Sequence, residues 1–220
     1  HVFPFTNQLD AATNIQDAIS ANIPGGVVRV DDGTYAAGGV AWRGALPSRV
    51  ALTNVLDVVS VNGPGSTLIV GQGPIGDGAI RCAYVASGAR LIGFTLTNGH
   101  TRASGDADLD QSGGGAWCES DGSLENCVIR NNVAAQLGGG ARNGRLIGST
   151  LRDNSALDGG GASGSSALRC VVSNNLATGQ GGGLQGGTNE NVLVVDNQAA
   201  YGGGLAEAVL SHATVSRNHA

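Results

Sequence analysis

Short apolar segments recur along the second half of the chain, each at a fixed distance from an asparagine. An aliphatic side chain stands three residues before each asparagine, and a small or aliphatic one stands five residues before it. The positions three residues before are Ile129, Leu151, Val172, Val194 and Val215. Side chains two residues apart point to the same face of a β-strand. The pattern therefore predicts one short strand beside each asparagine.

The asparagines themselves form a column with a period of 21 or 22 residues. They are Asn132, Asn154, Asn175, Asn197 and Asn218. Glycine triplets repeat nearly in step with them, beginning at residues 113, 138, 159, 181 and 202. A unit of this length that holds only short strands cannot bury its apolar face alone, so the units must stack on one another. Two independent markers of one period thus predict a solenoid.

A parallel β-helix is the solenoid that this unit favours, because short strands and glycine-rich bends alternate without a helical pattern. A leucine-rich horseshoe would need a leucine consensus that the repeats lack. In a β-helix, successive coils lie about 4.8 Å apart and equivalent side chains stack along the axis. The asparagine column is then predicted to be an internal hydrogen-bonded ladder at a bend. The expected fold class is all-β, a right-handed parallel β-helix of about eight coils.

The organisation changes along the chain, although one domain covering residues 1–220 is predicted. Residues 1–26 are interpreted as an N-terminal extension and cap, in which residues 14–21 form a short amphipathic helix with an asparagine N-cap. Residues 27–99 are irregular coils, and the first of them ends at the turn signal Asp31-Asp32-Gly33. Residues 100–112 are an insertion, and residues 113–220 are the regular coils. The helix is expected to cover the open end of the first coil.

The composition of the chain excludes several classes of protein and of functional site. The chain has 38 glycines, but it is also 41% hydrophobic, which excludes collagen and disorder. It contains no lysine, which excludes a Schiff-base lysine and a phosphate-loop lysine. The net charge is −5 and the arginines are scattered, so nucleic acid is not an expected partner. No apolar run is long enough to span a membrane.

Two sets of carboxylates are candidates for chemistry. Asp106, Asp108 and Asp110 alternate in the insertion and are the one candidate for a metal site, with calcium as the ion, although the segment departs from the EF-hand pattern. A solvated loop is the competing interpretation. Asp153 and Asp196 stand just before two ladder asparagines, two coils apart at about 10 Å. That separation is at the upper edge for an inverting glycosidase, and ordinary turn polarity is the alternative.

Other polar and aromatic residues leave alternatives open. Arg130 and Arg152 fall in one column on adjacent coils, where they suit either an anionic sugar or a solvated face. Trp42 and Trp117 suit either a sugar ring or packing. The four histidines share no metal-ligand spacing. We therefore assign no catalytic residue and expect no cofactor other than the calcium candidate.

The four cysteines do not indicate whether the protein resides in an oxidising or a reducing compartment. Cys82 and Cys118 each follow two residues of a comparable strand, which predicts one shared column on successive coils and leaves a disulfide or two stacked thiols open. Cys127 and Cys170 share another column but lie two coils apart, which is too far for a bond.

Two stretches of the chain resemble known families. Residues 13–19 (TNIQDAI), followed by a valine strand and DGTY at 32–35, resemble the N-terminal cap and first coil of right-handed parallel β-helix proteins of the pectate-lyase-like superfamily. The Gly-Gly-Ala or Gly-Gly-Leu segments, alternating with aliphatic-x-x-Asn, are similar to repeats of chlamydial polymorphic outer-membrane protein passengers. The first resemblance implies polysaccharide chemistry, and the second implies an adhesive surface role and export.

Two classes of function follow. The first is a secreted or cell-surface structural or adhesive module. The alternative is a carbohydrate-active protein, either a polysaccharide lyase or hydrolase or a glycan binder. A surface glycan is a candidate partner in both.

Self-association is expected at the ends of the solenoid. The chain begins at His1 and stops just after an asparagine, so it is interpreted either as a segment of a longer protein or as a unit completed by another copy. In the second case Val2, Phe3 and Phe5 would add to the strand edge at Val215 of a neighbouring copy, head to tail, in an extracellular filament.

Overall fold

The N-terminal cap is a single short helix. The computed structural model describes residue 12 and residues 14–220. Helix α1 (Ile15–Ala21) begins where the Asn14 side chain accepts a hydrogen bond from the Asp17 backbone N–H at 2.8 Å. Its apolar face buries Ile15 and Ile19 in the main core. The predicted cap helix is therefore confirmed.

The rest of the described chain winds through three parallel sheets. Sheet A contains β1 (Val27–Val30), β4 (Asp57–Ser60), β7 (Arg90–Ile92), β10 (Ser123–Glu125), β13 (Arg145–Ile147), β17 (Ser166–Leu168), β21 (Thr188–Glu190) and β24 (Val209–Ser211), in this order. Sheet B contains β2 (Gly33–Tyr35), β5 (Thr67–Val70), β8 (Thr95–Thr97), β11 (Val128–Arg130), β14 (Thr150–Arg152), β18 (Val171–Ser173), β22 (Leu193–Val195) and β25 (Thr214–Ser216). Sheet C contains β3 (Ser48–Leu52), β6 (Arg81–Val85), β9 (Ala116–Cys118), β12 (Ala141–Arg142), β16 (Ala162–Ser163), β20 (Leu184–Gln185) and β23 (Leu205–Ala206). A small fourth sheet pairs β15 (Ser155–Ala156) with β19 (Leu176–Ala177).

The first seven coils each contribute one strand in turn to sheets A, B and C, the eighth contributes β24 and β25 to sheets A and B, and every ladder pairing between these strands is parallel. Equivalent residues therefore stack, as Leu91, Leu124 and Leu146 do inside sheet A. These side chains are fully buried in one core that runs along the axis. The architecture is the predicted parallel β-helix, and the eight strands of sheets A and B agree with the expected number of coils.

The asparagine column forms a hydrogen-bonded ladder along the bend that follows sheet B. The Nδ2 atom of each asparagine donates to the Oδ1 atom of the next, at 2.9 or 3.0 Å, from Asn132 to Asn218. The same Oδ1 atoms accept backbone N–H groups, and Nδ2 atoms also donate to backbone carbonyls such as Ile129 O. The ladder therefore satisfies main-chain groups that the bend leaves out of the sheets.

The glycine triplets allow the coils to approach one another at the next bend. A Cβ atom on Gly140 would lie 2.5 Å from the carbonyl oxygen of Gly161 and 3.0 Å from the Nδ2 atom of Asn154. No side chain fits in that space. The triplets and the ladder are thus two parts of one packing arrangement.

The prediction that Cys82 and Cys118 share one column is wrong. Sheet C aligns Ala83 with Ala116 and Val85 with Cys118, so the two cysteines are in different columns. Cys118 lies two residues after the core residue Ala116, whereas Cys82 immediately precedes the core residue Ala83, so aligning the two alanines places the cysteines three positions apart. All four cysteines are buried and free.

Within residues 14–220, no helix has the length and apolar character needed to cross a membrane.

Candidate functional site

Two excursions from the coils meet over the outer face of sheet C, and Asp110 joins them. They are residues 36–47, between β2 and β3, and residues 98–115, between β8 and β9. The Oδ1 atom of Asp110 accepts the backbone N–H groups of Ala45 at 2.6 Å and Leu46 at 3.0 Å, and its Oδ2 atom accepts that of Asp106 at 3.1 Å. A Cβ atom on Gly44 would lie 2.5 Å from the Asp110 carboxylate. Asp110 is therefore a clamp between the two segments.

Burial by itself would raise the pKa of Asp110, but these backbone N–H groups and the Arg102 charge lower it below its ordinary value. The carboxylate is thus held in its charged form.

A buried arginine holds the second excursion in place. Arg81 is fully buried at the start of β6, and it donates to the carbonyl oxygens of Gly113 at 2.8 Å and of Leu109 and Ser112 at 2.7 Å each. Burial lowers the pKa of Arg81 to about 10, and the Asp110 charge opposes that shift. Its guanidinium replaces the strand pairing that the excursion gives up.

Beneath the two excursions lies a second apolar cluster, outside the main core. Tyr84 and Trp117 are neighbours in one outward-facing column of sheet C, and their rings stack with centroids 5.7 Å apart and planes 4° apart. Val40 and Leu109, one from each excursion, pack against them. The Nε1 atom of Trp117 is buried and has no hydrogen-bond partner among the described residues.

Glu119 connects this cluster to the surface. It accepts the Tyr84 hydroxyl at 2.6 Å and the Ser87 backbone N–H at 2.9 Å, and Arg43 pairs with it at 3.1 Å. The Tyr84 hydrogen bond, then the Ser87 N–H and then Arg43 lower the pKa of Glu119. Burial and Glu119 together raise the pKa of Tyr84. Trp42, beside Arg43, is 50% exposed.

A groove of about 470 Å³ opens next to Glu119, at the corner between sheets C and A. It is lined by Arg43, Trp117, Cys118, Glu119, Ser120, Asn143, Gly144, Gly164 and Ser166. Its walls therefore come from the first excursion and from three successive coils of the regular region.

A row of polar side chains continues from Trp117 along the same outward column. Arg142 binds Asp108 at 2.6 Å and donates to the Ser163 hydroxyl at 3.2 Å. Ser163 donates to Gln185 at 2.6 Å, and Gln185 donates to Glu207 at 3.2 Å. The row spans five coils and begins and ends at a carboxylate.

The three carboxylates proposed for calcium bind three different sets of partners. Asp106 accepts the backbone N–H groups of Asp108 and Leu109, Asp108 pairs with Arg142, and Asp110 forms the clamp. Among the described residues, no three His, Cys, Asp or Glu side chains are grouped so that they could hold a metal ion. The arrangement thus gives the acidic insertion a structural role that differs from the predicted metal site.

The other sequence candidates lie on sheet B and its bend, away from the groove. Arg130 and Arg152 are neighbours in register, and Arg152 pairs with the adjacent Asp153. Asp196 accepts two hydrogen bonds from Arg217, each at 2.8 Å. These acids are engaged in surface ion pairs.

The residues proposed for self-association are only partly described. Val2, Phe3 and Phe5 lie outside the described residues. Val215 is 45% exposed in β25, which is at the edge of sheet B.

Comparison with known proteins identifies the fold. The sequence matches no protein-family model and no curated protein. Among solved structures it is similar to a mutant pectin methylesterase in complex with a hexasaccharide, with a TM-score of 0.50 and 12% identity over 97% of this chain and 91% of that chain. The likeness confirms a right-handed parallel β-helix, as predicted.

Sequence reasoning missed most of the groove. Arg43 and Tyr84 lie in irregular coils where no period links them, and Glu119 and Asn143 sit in turns that differ from coil to coil. Of the lining residues, the sequence analysis had singled out Trp117 and Cys118, and the half-exposed Trp42 that it also named precedes the lining residue Arg43.

Proposed function

We propose that this protein is a non-catalytic, extracellular or cell-surface β-helix module that binds polysaccharide in the groove beside Trp117. The observation that carries the proposal is a groove lined by the paired Arg43 and Glu119 and by the polar groups of Asn143 and Ser166, with the half-exposed Trp42 next to Arg43 in the chain. Sites of this kind join aromatic surface with a few oriented polar groups, which is what a sugar ring with hydroxyl groups requires.

The charge state of the groove favours binding over hydrolysis. Glycosidases need two carboxyl groups across the scissile bond, one of them with a raised pKa. Among the described residues, Glu119 is the only carboxylate that lines this groove, and its pKa is lowered. It therefore suits an ion pair better than a general acid.

The structural neighbour lends support of a general kind. That protein is an enzyme named for pectin and was solved with a hexasaccharide, so this fold can present a surface to a sugar chain. A carbohydrate-active enzyme remains the second candidate for that reason.

The first experiment measures binding to soluble polysaccharides by affinity electrophoresis. We expect retardation that is lost in Trp42→Ala and Asn143→Ala and kept in Arg130→Ala, which changes an outward side chain of sheet B. Absence of retardation by every polymer would contradict the proposal.

The same polymers are then incubated with the protein, and reducing ends, new double bonds and released methanol are measured with and without calcium. We expect no turnover. Turnover that Glu119→Gln abolishes would replace the binding module with the enzyme.

We also propose self-association at the strand edges. Val209 and Leu210 in β24 and Val215 in β25 are exposed apolar residues of edge strands, and such edges pair readily with other strands. Light scattering of the intact chain should show assembly that Val215→Arg, or deletion of residues 1–5, reduces. Unchanged assembly in both variants would contradict this proposal.

A further inference from the structure

The charged side chains of the groove are already neutralised within the protein. Arg43, which lines the groove, pairs with Glu119 at 3.1 Å; Arg142, which precedes the lining residue Asn143 and is the register neighbour of Trp117, pairs with Asp108 at 2.6 Å. Each cation therefore has an anion in contact before any ligand arrives. A ligand carboxylate would have to compete with both of these internal partners.

Glu119 makes that competition unfavourable. It is fixed by the Tyr84 hydroxyl and the Ser87 N–H, so it stays in place if Arg43 turns towards a ligand. A carboxylate bound to Arg43 would then lie beside a second carboxylate, and like charges at such distances repel strongly where water is partly excluded.

The uncommitted groups of the groove are neutral. No other described residue shares a hydrogen bond with the side chains of Ser120, Asn143 or Ser166. Hydroxyl and amide groups both donate and accept hydrogen bonds, as sugar hydroxyls do, whereas a carboxylate only accepts. These three side chains thus match a ligand rich in hydroxyl groups.

One arginine near the groove favours the opposite class of ligand, an acidic polymer. Arg145 follows Gly144 and is the register neighbour of Ser166, both of which line the groove, and it is exposed. It does not line the groove itself, but it is where an acidic polymer would find a cation.

We propose that the groove takes a neutral, hydroxyl-rich glycan chain in preference to a polyuronate. This inference rests on the proposed polysaccharide-binding function and names its ligand class.

The test compares polymers that share one backbone and differ in charge. Polygalacturonate, its fully methyl-esterified form and its carboxyl-reduced form are titrated at low salt, beside a neutral glucan and a neutral galactan. We expect at least one neutral polymer to bind about ten-fold more tightly than polygalacturonate. Binding of no polymer would overturn the proposed function together with this inference. Equal or tighter binding of polygalacturonate would overturn this inference alone.

Two variants separate the sources of selectivity. Glu119→Gln should raise the affinity for polygalacturonate by about ten-fold and change neutral binding far less, because it frees Arg43 from its anion. Arg145→Ala should leave the binding of the neutral polymer unchanged. Loss of tight polygalacturonate binding in Arg145→Ala, with no gain in Glu119→Gln, would show an acidic ligand held by Arg145 and would refute the proposal.

Discussion

Replacing Asn175 by alanine should remove one rung from the middle of the asparagine ladder. Its side chain makes four hydrogen bonds: Oδ1 accepts the backbone N–H and the Nδ2 atom of Asn154, and Nδ2 donates to Leu151 O and to Asn197 Oδ1. The residue is 1% exposed, so water does not reach these partners in the folded protein. Alanine leaves them buried with fewer hydrogen bonds.

The cost follows from those four bonds. A buried hydrogen bond contributes about 1 kcal/mol net, so the free energy of unfolding should fall by about 4 kcal/mol. Domains of this size are typically stable by about 5–15 kcal/mol, so the loss is a large part of the total. The backbone N–H of Asn175 keeps its hydrogen bond to Asn197, so the substitution removes only the hydrogen bonds of the side chain.

Urea unfolding followed by far-UV circular dichroism measures the loss. Gln198→Ala is the matched control, because that side chain is exposed on the next coil, and it should change the free energy of unfolding by less than about 0.5 kcal/mol. A loss below about 1 kcal/mol in Asn175→Ala, with an unchanged slope, would refute the stabilising role of the ladder.

Three further predictions test the packing, the clamp and the thiols. Gly140→Ala should lower the free energy of unfolding, measured with urea, by about 3 kcal/mol. Gly78 has open space around it, so Gly78→Ala should not lower this free energy. Equal effects of the two substitutions would contradict the close approach of the coils. Asp110→Asn should speed tryptic cleavage after Arg43 about ten-fold at neutral pH. In the wild type, the rate at which pepsin cleaves the same segment, relative to its rate on an unfolded peptide at the same pH, should rise only as the pH falls below 3.8. The lowered pKa of Asp110 keeps its contribution complete above that ordinary value and loses it as the pH falls through the folded-state pKa; a relative rate that does not depend on pH would argue against the clamp. Burial raises the pKa of Cys82 to about 12, so its thiol should react with a disulfide reagent at pH 8 only after unfolding, and rapid labelling of the native protein would contradict its burial.

The regular coils were predictable because one period fixes every contact in them. Once Asn132 and Asn154 are known to be equivalent, the strands before them must pair in register, and the structure shows that pairing. The same logic failed at Cys82 and Cys118, because the intervening excursion changes the number of residues per coil. Where the period breaks, sequence alone gives no register.

The acidic insertion shows a second reason why the sequence alone does not predict a functional site. The alternating carboxylates at 106, 108 and 110 could bind either a cation or a set of backbone N–H groups. Their spacing in the sequence does not distinguish these two kinds of partner. Two of the three main-chain N–H groups that Asp110 accepts lie more than sixty residues earlier, at Ala45 and Leu46. Main-chain N–H groups carry no sequence signature, so the clamp and the groove beside it became visible only in three dimensions.

The stacking of coils also determines how the molecule responds to force. Main-chain bonds between the regular coils run along the axis, and each regular coil pairs with its immediate neighbours, so a pull along the axis on this region loads one interface at a time. A coil of the regular region that peels away releases its 21 or 22 residues as extended chain, about 70 Å in length. Under force the regular region should therefore unfold one coil at a time. The protein should lengthen by nearly equal increments while the remaining coils keep their asparagine ladder.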